Sequence, residues 1–222
     1  MPHLPMKFRQ RKGYSEMVAI VDYGVGNLFS LKSSLDAIGA DVVVTSDADV
    51  LRSADHILLP GVGAFEDAAN KLRATGLDRV VIEEAKAGKP LLGICLGMQM
   101  LFDKSFEYGE HEGLGLIPGQ VRPIAEKIPA DLKIPQIGWN ALRFHGASPL
   151  FKYIKDGDYV YFVHSYAAMG CDDAVIADTE YGAYLTAAVA NGNVFGCQFH
   201  PEKSGPVGLN ILRAFVEYKR EG

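Results

Sequence analysis

The 222-residue chain has no run of 18 apolar residues, few cysteines and no excess of positive charge. Without such a run, no membrane-spanning helix is expected. The formal net charge is -5, with lysine and arginine spread along the chain, which argues against a nucleic-acid-binding face. The three cysteines, Cys95, Cys171 and Cys197, form no C-x-x-C pair and no cluster at metal-ligand spacing. This usage favours a reducing compartment over a disulfide framework, so we expect a cytoplasmic protein that needs no metal or cofactor.

The first 16 residues are polar and basic and lack the apolar centre of a secretory signal. We expect a disordered extension there, with a vector remnant or an upstream start codon as the alternatives. Residues 17–222 contain no repeat, linker or low-complexity stretch, and 48% of the chain is hydrophobic, which suffices for a sizeable core. We therefore expect residues 17–222 to form one domain.

Short apolar runs alternate with helical patterns in the first half of the chain. The runs are residues 18–21, 42–44, 56–59 and 90–94. Runs of this kind are typical of parallel strands that are covered on both faces. Asn27 is a plausible N-cap for the first helix, and further helical segments extend to about residue 87. The order predicts an α/β fold with an open, mostly parallel sheet and flanking helices.

The second half of the chain is richer in glycine and proline, and its apolar pattern alternates. This predicts an antiparallel extension of the sheet. The candidate strands are residues 120–124, 138–144, 159–166, 175–179, 186–190 and 194–199. Asn191-Gly192 indicates a hairpin with a type I′ turn between the last two. Residues 206–218 predict a final helix with Leu209, Leu212 and Phe215 facing inward.

The stretch Gly93-Ile94-Cys95-Leu96-Gly97 joins the fourth apolar run to a helical pattern that continues to residue 102. A sharp turn from strand to helix strains its central residue and favours glycine on both sides, which is the arrangement of a nucleophile elbow. The free N–H groups at the start of a helix also stabilise a thiolate. We predict Cys95 to be a nucleophile; the alternative is a buried structural cysteine.

His200 and Glu202 lie two positions apart where the last predicted strand ends. In an extended chain their side chains share a face. A histidine oriented by a carboxylate can take the thiol proton and later give one to the leaving group. We therefore predict a Cys95, His200 and Glu202 triad; the alternative for the latter two is a solvated strand end.

Pro60-Gly61-Val62-Gly63 turns the chain at the carboxyl end of the third apolar run. Backbone N–H groups in such a turn can stabilise an oxyanion, and the N–H of Leu96, next after the nucleophile, supplies another donor. We predict an oxyanion hole formed by Val62, Gly63 and Leu96. An ordinary strand-to-helix turn is the alternative, because glycine is common in turns.

Together these motifs resemble those of the class I, or triad, glutamine amidotransferases. The elbow and His200-Pro201-Glu202 carry the likeness to the class, which covers about residues 17–218. Residues 60–65 (PGVGAF) and 138–140 (GWN) make the chain similar to one subfamily, the glutaminase subunits of imidazole glycerol phosphate synthase in histidine biosynthesis. Further matching stretches are residues 22–27, 59–65, 113–119, 161–166 and 200–204.

The resemblance implies a flavodoxin-like fold and hydrolysis of L-glutamine to glutamate and ammonia through a glutamyl thioester on Cys95. It also implies which residues hold the substrate. These are Gly61, Gln99, Glu107, Ser165 and Tyr166.

The resemblance further implies a heterodimer with a (β/α)₈-barrel cyclase, which uses the ammonia before water can protonate it. Asn27 and Trp139 fall where the subfamily has its subunit interface, although a tryptophan is equally common in a core. Gln136 departs from the subfamily, which often has histidine there, so the hydrogen bonds of the interface are in question. Three other functions stay open: a subunit of another class I synthase, a stand-alone cysteine hydrolase of γ-glutamyl compounds, and a non-catalytic binding module.

Overall fold

A computed structural model describes residues 16–219 of the chain. The extension predicted for residues 1–16 lies outside this range, apart from Glu16. The strands are β1 Met17–Val21, β2 Asp41–Thr45, β3 His56–Gly61, β4 Leu91–Cys95, β5 Phe102–Ser105, β6 His111–Glu112, β7 Ile117–Pro123, β8 Gln136–Ala141, β9 Arg143–Phe144, β10 Tyr159–His164, β11 Tyr166–Met169, β12 Val175–Glu180, β13 Tyr184–Asn191 and β14 Val194–Cys197. The helices are α1 Leu28–Ala37, α2 Ala48–Ser53, α3 Phe65–Ala74, α4 Leu77–Lys86, α5 Leu96–Met100 and α6 Gly205–Val216.

The largest sheet has the strand order β2-β1-β3-β4-β14-β13-β12-β9. Its first five strands pair in parallel, and β14, β13, β12 and β9 continue the sheet with antiparallel pairs. This confirms the predicted α/β fold, a mostly parallel sheet with an antiparallel extension. Parallel strands end at the same edge of a sheet, so the segments that follow β3, β4 and β14 come together there.

Alternate residues of the parallel strands face two separate cores. Ala19 and Ile57 belong to one core, which α2, α3, α4 and α5 cover. Val18 and Leu58 belong to the other, which α1 and α6 cover. Both faces are therefore buried, which explains why these strands have nearly continuous apolar sequences.

Two smaller sheets lie beside the large one. Strands β11, β7, β5 and β6 form a four-stranded sheet, and β8 pairs with β10 in a two-stranded ribbon. The predicted strand over residues 159–166 is divided between them, because Ser165 interrupts it and separates β10 from β11. The chain thus passes from one small sheet to the other at Ser165.

Helix α2 was not predicted. It has six residues, too few for a periodic apolar pattern, and its N-cap Asp47 accepts hydrogen bonds from the N–H groups of Asp49 and Val50. The prediction that the helix after Cys95 continues to residue 102 is wrong, because α5 ends at Met100 and Phe102 begins β5.

Two finer predictions in the second half are also wrong. In the hairpin between β13 and β14 the central residues are Gly192 and Asn193, and only Gly192 has a positive φ, 61°. This is the pattern of a type II′ turn, since a type I′ turn needs a positive φ at both. In α6, Leu212 and Phe215 are buried as predicted, but Ile211 is buried in place of Leu209, which is half-buried.

Candidate active site

Cys95 ends β4 in a strained backbone conformation, with φ 55° and ψ -112°. Among the non-glycine residues of the described chain, only Cys95 and Tyr108 have a positive φ. A side chain in this region costs about 1–3 kcal/mol, which the surrounding structure must offset. The strain projects the thiol from the carboxyl end of β4, as a nucleophile elbow requires.

The two glycines around Cys95 are required by close packing. A Cβ at Gly97 would overlap the carbonyl oxygen of Leu59, and a Cβ at Gly93 would lie 2.7 Å from the backbone of Met98. Neither glycine has a positive φ. Because α5 has only five residues, its dipole contributes less to a charged sulfur than the longer predicted helix would.

His200 lies after β14, where its imidazole joins Cys95 to Glu202. Nδ1 is 2.8 Å from Oε1 of Glu202, both side chains are 3% exposed, and the imidazole also hydrogen-bonds the side chain of Cys95. Residues Pro201–Lys203 form a 3₁₀ turn, so the pairing of His200 with Glu202 comes from a turn and not from the extended chain that we predicted. The three predicted residues form one hydrogen-bonded series.

The pKa of His200 is set by opposing effects. Burial acts to lower it, but the hydrogen bonds with Cys95 and Glu202 outweigh burial and raise the pKa to about 9. At neutral pH the site therefore holds an imidazolium beside the sulfur. The second oxygen of Glu202, Oε2, has no partner within residues 16–219, so His200 alone engages this carboxylate.

The turn predicted to hold an oxyanion lies beside the elbow. Gly61 pairs with Cys95 across β3 and β4, so the residues that follow them, Val62 and Leu96, come side by side at the sheet edge. Tyr23 fixes the turn by donating its hydroxyl to the carbonyl of Pro60 at 2.7 Å. Gly61 itself is covered, because a Cβ there would lie 2.8 Å from the backbone nitrogen of Gly97.

A cavity of about 510 Å³ opens over these groups. The predicted site residues that line it are Val62, Gly63, Cys95, Leu96, Gln99, Glu107, Ser165, Tyr166 and His200. Gly61 and Glu202 do not line this cavity. With Asn27 they border a separate, much smaller cleft on the other side of His200.

Of the predicted substrate-binding residues, Gln99 and Glu107 are held by hydrogen bonds. Glu107 accepts the backbone N–H of Phe65 at 2.7 Å. Burial raises the pKa of Glu107, and this N–H bond and nearby His111 act to lower it. Gln99 is buried and donates from Nε2 to the carbonyl of Tyr166 at 3.1 Å and to Oε1 of Gln198 at 3.0 Å. Only the oxygen of the Gln99 amide is left to meet a ligand.

Sequence reasoning assigned no role to two residues of the site. Gln198 is buried, with Nε2 3.8 Å from the sulfur of Cys95. His164 lines the cavity and is 2.8 Å from the carbonyl of Tyr166 through Nδ1. Burial lowers the pKa of His164 to about 4, with the bond to Tyr166 opposing and nearby His200 reinforcing this shift. His164 lies in the matching stretch 161–166 and Gln198 lies two residues before the stretch 200–204, but neither residue type signals a role there.

Gln136, the predicted departure from the subfamily, is fully buried in a series of contacts. The series joins the carbonyl of Tyr166, His164, Gln136, Asn140 and the carbonyl of Glu180. Both ends of the series accept, and each nitrogen in it faces only one neighbour. Four contacts therefore need four donor groups, whereas a neutral imidazole and two NH₂ groups supply three. With His164 neutral, one contact is therefore not a hydrogen bond, and we expect it at the exposed Asn140 end, where water can replace the partner.

The two predicted interface residues have different surroundings. Asn27 caps α1, its side-chain oxygen accepting the N–H of Ser30 at 3.4 Å. Trp139 lies on β8 with 51% of its surface exposed and an edge contact to Tyr161. None of the helices within residues 16–219 has the length and apolar character to cross a membrane.

A sequence model of one family, Glutamine amidotransferase class-I, matches residues 19–218. The chain belongs to the class I glutamine amidotransferases. As a member of this class, it is an enzyme that hydrolyses glutamine.

Curated relatives place the chain more narrowly within the class I amidotransferases. It is 46% identical over 205 residues to "Imidazole glycerol phosphate synthase subunit HisH" of Oceanobacillus iheyensis, covering 92% of this chain and 100% of that protein. It is 48% identical over 201 residues to the protein of the same name from Lactococcus lactis subsp. lactis, covering 90% and 98%.

Solved structures share the amidotransferase fold. The structure of PurLQS from Thermotoga maritima superimposes with a TM-score of 0.71 at 22% identity, covering 91% of this chain and 98% of that chain. The crystal structure of a glutamine amidotransferase superimposes with a TM-score of 0.70 at 20% identity, covering 90% and 97%. At this level of identity the likeness concerns the fold.

Proposed function

We propose that this chain is the glutaminase subunit of an imidazole glycerol phosphate synthase and acts in histidine biosynthesis. The names of the two relatives, each matched over at least 90% of this chain, support the assignment. The observation that carries the chemistry is the hydrogen-bonded series of Cys95, His200 and Glu202 beside a cavity large enough for an amino acid. Residues 17–222 form its single amidotransferase domain.

The first half-reaction forms a thioester. The sulfur of Cys95 attacks the carboxamide carbon of glutamine, and the resulting oxyanion is held by N–H groups of Leu96 and of the Val62-Gly63 turn. The imidazolium of His200 gives its proton to the amide nitrogen. The C–N bond then breaks, ammonia leaves and a glutamyl thioester remains on Cys95.

The second half-reaction restores the enzyme. Neutral His200 now takes a proton from water, and the oxygen attacks the thioester carbon in the same oxyanion hole. Collapse of this adduct breaks the C–S bond and releases glutamate. Glu202 holds the imidazole in one orientation and favours its charged form throughout.

Substrate recognition falls to other residues, most of which line the same cavity. We assign Gln99, Glu107, Ser165 and Tyr166 to the glutamine, with Gly61 shaping the floor behind the elbow. Glu107 faces the cavity with a carboxylate, which suits the α-ammonium group of an amino acid. The oxygen of Gln99 is an acceptor for the same end of the substrate.

Ammonia that reaches water is protonated and loses its nucleophilicity, so the chain acts with a partner docked over the site. The partner proposed is a (β/α)₈-barrel cyclase in a cytoplasmic heterodimer, with Asn27 and Trp139 at the interface. The half-exposed ring of Trp139 suits this role, because tryptophan is enriched among residues that dominate interface energies.

The test is glutamate release by the full chain alone, with the cyclase, and with the cyclase and its phosphoribulosyl-formimino aminoimidazole carboxamide ribonucleotide. We expect slow hydrolysis alone and a large acceleration in the complete mixture. Equal rates in all three would contradict the assignment. Capture of an anthranilate or guanylate synthase would favour another class I synthase, and rapid cleavage of γ-glutamyl peptides by the isolated chain would favour a stand-alone hydrolase.

A matched pair of variants tests the interface. Trp139→Ala should weaken cyclase binding by about 2 kcal/mol, measured by titration calorimetry. Tyr184→Ala removes another aromatic ring that is half exposed and should leave binding unchanged. Equal effects of the two would place the interface elsewhere.

A further inference from the structure

Gln198 is a buried amide between β14 and His200 that the proposed mechanism does not use. We propose that Gln198 is a further catalytic residue, whose side-chain N–H donates to the sulfur of Cys95 and stabilises it while it is negatively charged. The proposal rests on the proposed function, in which Cys95 is the nucleophile.

The direction of this hydrogen bond follows from a chain of three amides. The backbone carbonyl of Tyr166 can only accept, so the group of Gln99 that lies 3.1 Å from it must be the NH₂. The same NH₂ lies 3.0 Å from the side chain of Gln198, which must turn its oxygen toward Gln99. The NH₂ of Gln198 then faces the sulfur of Cys95 at 3.8 Å.

Exchanging the oxygen and NH₂ positions of either side-chain amide, Gln99 or Gln198, breaks this series of hydrogen bonds. A reversed Gln99 would place its oxygen against the carbonyl oxygen of Tyr166, and a reversed Gln198 would place two NH₂ groups together. Both residues are buried, where unmatched polar groups are costly. A backbone carbonyl in the proposed substrate-binding segment thus determines that a donor, and not an acceptor, meets the nucleophile.

The electrostatic consequence depends on the charge of the sulfur. A hydrogen bond to a charged group is stronger than one to a neutral group, and stronger still away from water. The N–H of Gln198 therefore favours the thiolate over the thiol. It supplements a short helix, α5, whose five residues provide little dipole. His200 and Tyr23 are the other titratable groups that interact with Cys95, and both stay in place in the variants below.

The test is alkylation of the full chain by iodoacetamide across a range of pH, with each cysteine followed by mass spectrometry. Gln198→Met keeps a similar shape and removes the donor. We expect it to slow alkylation of Cys95 at neutral pH about tenfold and to raise the pH of half-maximal alkylation by about one unit. At high pH the two proteins should react at similar rates. Gln198→Glu, which places a carboxylate near the sulfur, should show a larger shift in the same direction.

Thr186→Val is the matched control, because Thr186 is another buried hydrogen-bonding side chain, on the neighbouring β13. It should leave the pH profile of Cys95 unchanged. Cys197 serves as the internal reference, since burial raises the pKa of its thiol and keeps it slow to react. Cys171 is not used as a reference, because its thiol hydrogen-bonds the side chain of Thr186 that the control removes. An unchanged pH midpoint in Gln198→Met would overturn the proposal, even if its rates fell at every pH.

If Gln198→Met does not fold, the proposal is tested by NMR on the wild-type protein. The side-chain amide resonances of Gln198 should shift with the pH midpoint of Cys95 alkylation, and their failure to move would overturn the proposal. Alkylation needs neither glutamine nor a partner. A shifted midpoint without glutaminase activity would therefore count against the proposed function and leave the role of Gln198 toward the thiol intact.

Discussion

The parallel half of the large sheet and the two small sheets meet at one cavity, but they contribute different groups. The nucleophile elbow, the oxyanion turn and His200 follow β4, β3 and β14, which are buried on both faces. Glu107, Ser165 and Tyr166 belong to the small sheets and the loops between them, nearer to solvent. The reacting groups thus follow strands that are packed on both faces, whereas these three recognition residues lie on small sheets and loops nearer to solvent. Changes in the first region should lower kcat, and changes in the second should raise KM.

The largest effect is expected at the nucleophile. Cys95→Ala should lower glutamine-dependent synthesis by the complex at least ~10⁴-fold, because no other group replaces the sulfur. Synthesis from added ammonium salt should survive, since the cyclase chemistry occurs elsewhere. Cys171→Ala, at another buried cysteine, should change neither activity. Loss of both activities in Cys95→Ala would show that the roles of the two proteins are not separate.

The next effect tests the rigidity of the parallel half. Gly97→Ala should destabilise the fold by about 4 kcal/mol, because its Cβ would overlap the backbone of Leu59. Gly170→Ala in the second half has an open position with φ 65° and should cost only about 1 kcal/mol. Urea unfolding measures both. Similar losses in the two variants would mean that the elbow is no more tightly packed than a surface turn.

The parallel half was also the more predictable from sequence. Its strands are buried on both faces, so the apolar runs in the sequence predicted the positions of β1, β3 and β4 closely. The nucleophile elbow was predicted from Cys95 and the glycines two residues before and after it. Helix α2 was missed because six residues carry no periodic signal. The end of α5 was misplaced because Leu101 and Phe102 are apolar in either secondary structure.

The polar series inside the site could not be predicted. The contact of Gln198 with Cys95 spans 103 residues of sequence and that of Gln136 with His164 spans 28, and an amide has no spacing rule of its own. The pairing of His200 with Glu202 was predicted correctly for the wrong reason, since a 3₁₀ turn and not a strand brings them together. Motifs identify reacting atoms, but only the folded structure shows what orients them.

Two histidines, one in each region, should make stability depend on pH in opposite directions. The pKa of His200 is raised to about 9, so its contribution is complete below about pH 6.5 and is lost as the pH rises toward 9. The pKa of His164 is lowered to about 4, so its protonation opposes folding and stability is lost as the pH falls from about 6.5 toward 4. The loss of folding stability should amount to about 3 kcal/mol on the alkaline side (the alkaline limb) and about as much on the acid side (the acid limb).

Urea unfolding across this pH range measures both limbs. His164→Gln should flatten the acid limb alone. His200→Gln should flatten the alkaline limb and also reduce the acid limb, because His200 contributes to the lowered pKa of His164. An acid limb of unchanged slope in His164→Gln would assign that loss of stability to other groups.

The smallest effect is expected in the recognition region. Glu107→Gln keeps an acceptor for the N–H of Phe65 but removes the charge that faces the α-ammonium group of glutamine. We expect KM for glutamine to rise about tenfold with little change in kcat, since a surface-facing charge pair contributes about 1 kcal/mol. Steady-state kinetics of the complex separates the two constants, and a fall in kcat at constant KM would remove the distinction between the two regions.

The most direct test is to treat the complex with the diazo ketone analogue of glutamine, 6-diazo-5-oxo-L-norleucine, and to locate the adduct by mass spectrometry. Glutaminase activity should be lost as a single adduct accumulates on Cys95, and excess L-glutamine should slow both. Loss of activity with an adduct at any other residue, or with Cys95 unmodified, would contradict the assignment of the thiol at the end of β4 as the group that attacks glutamine.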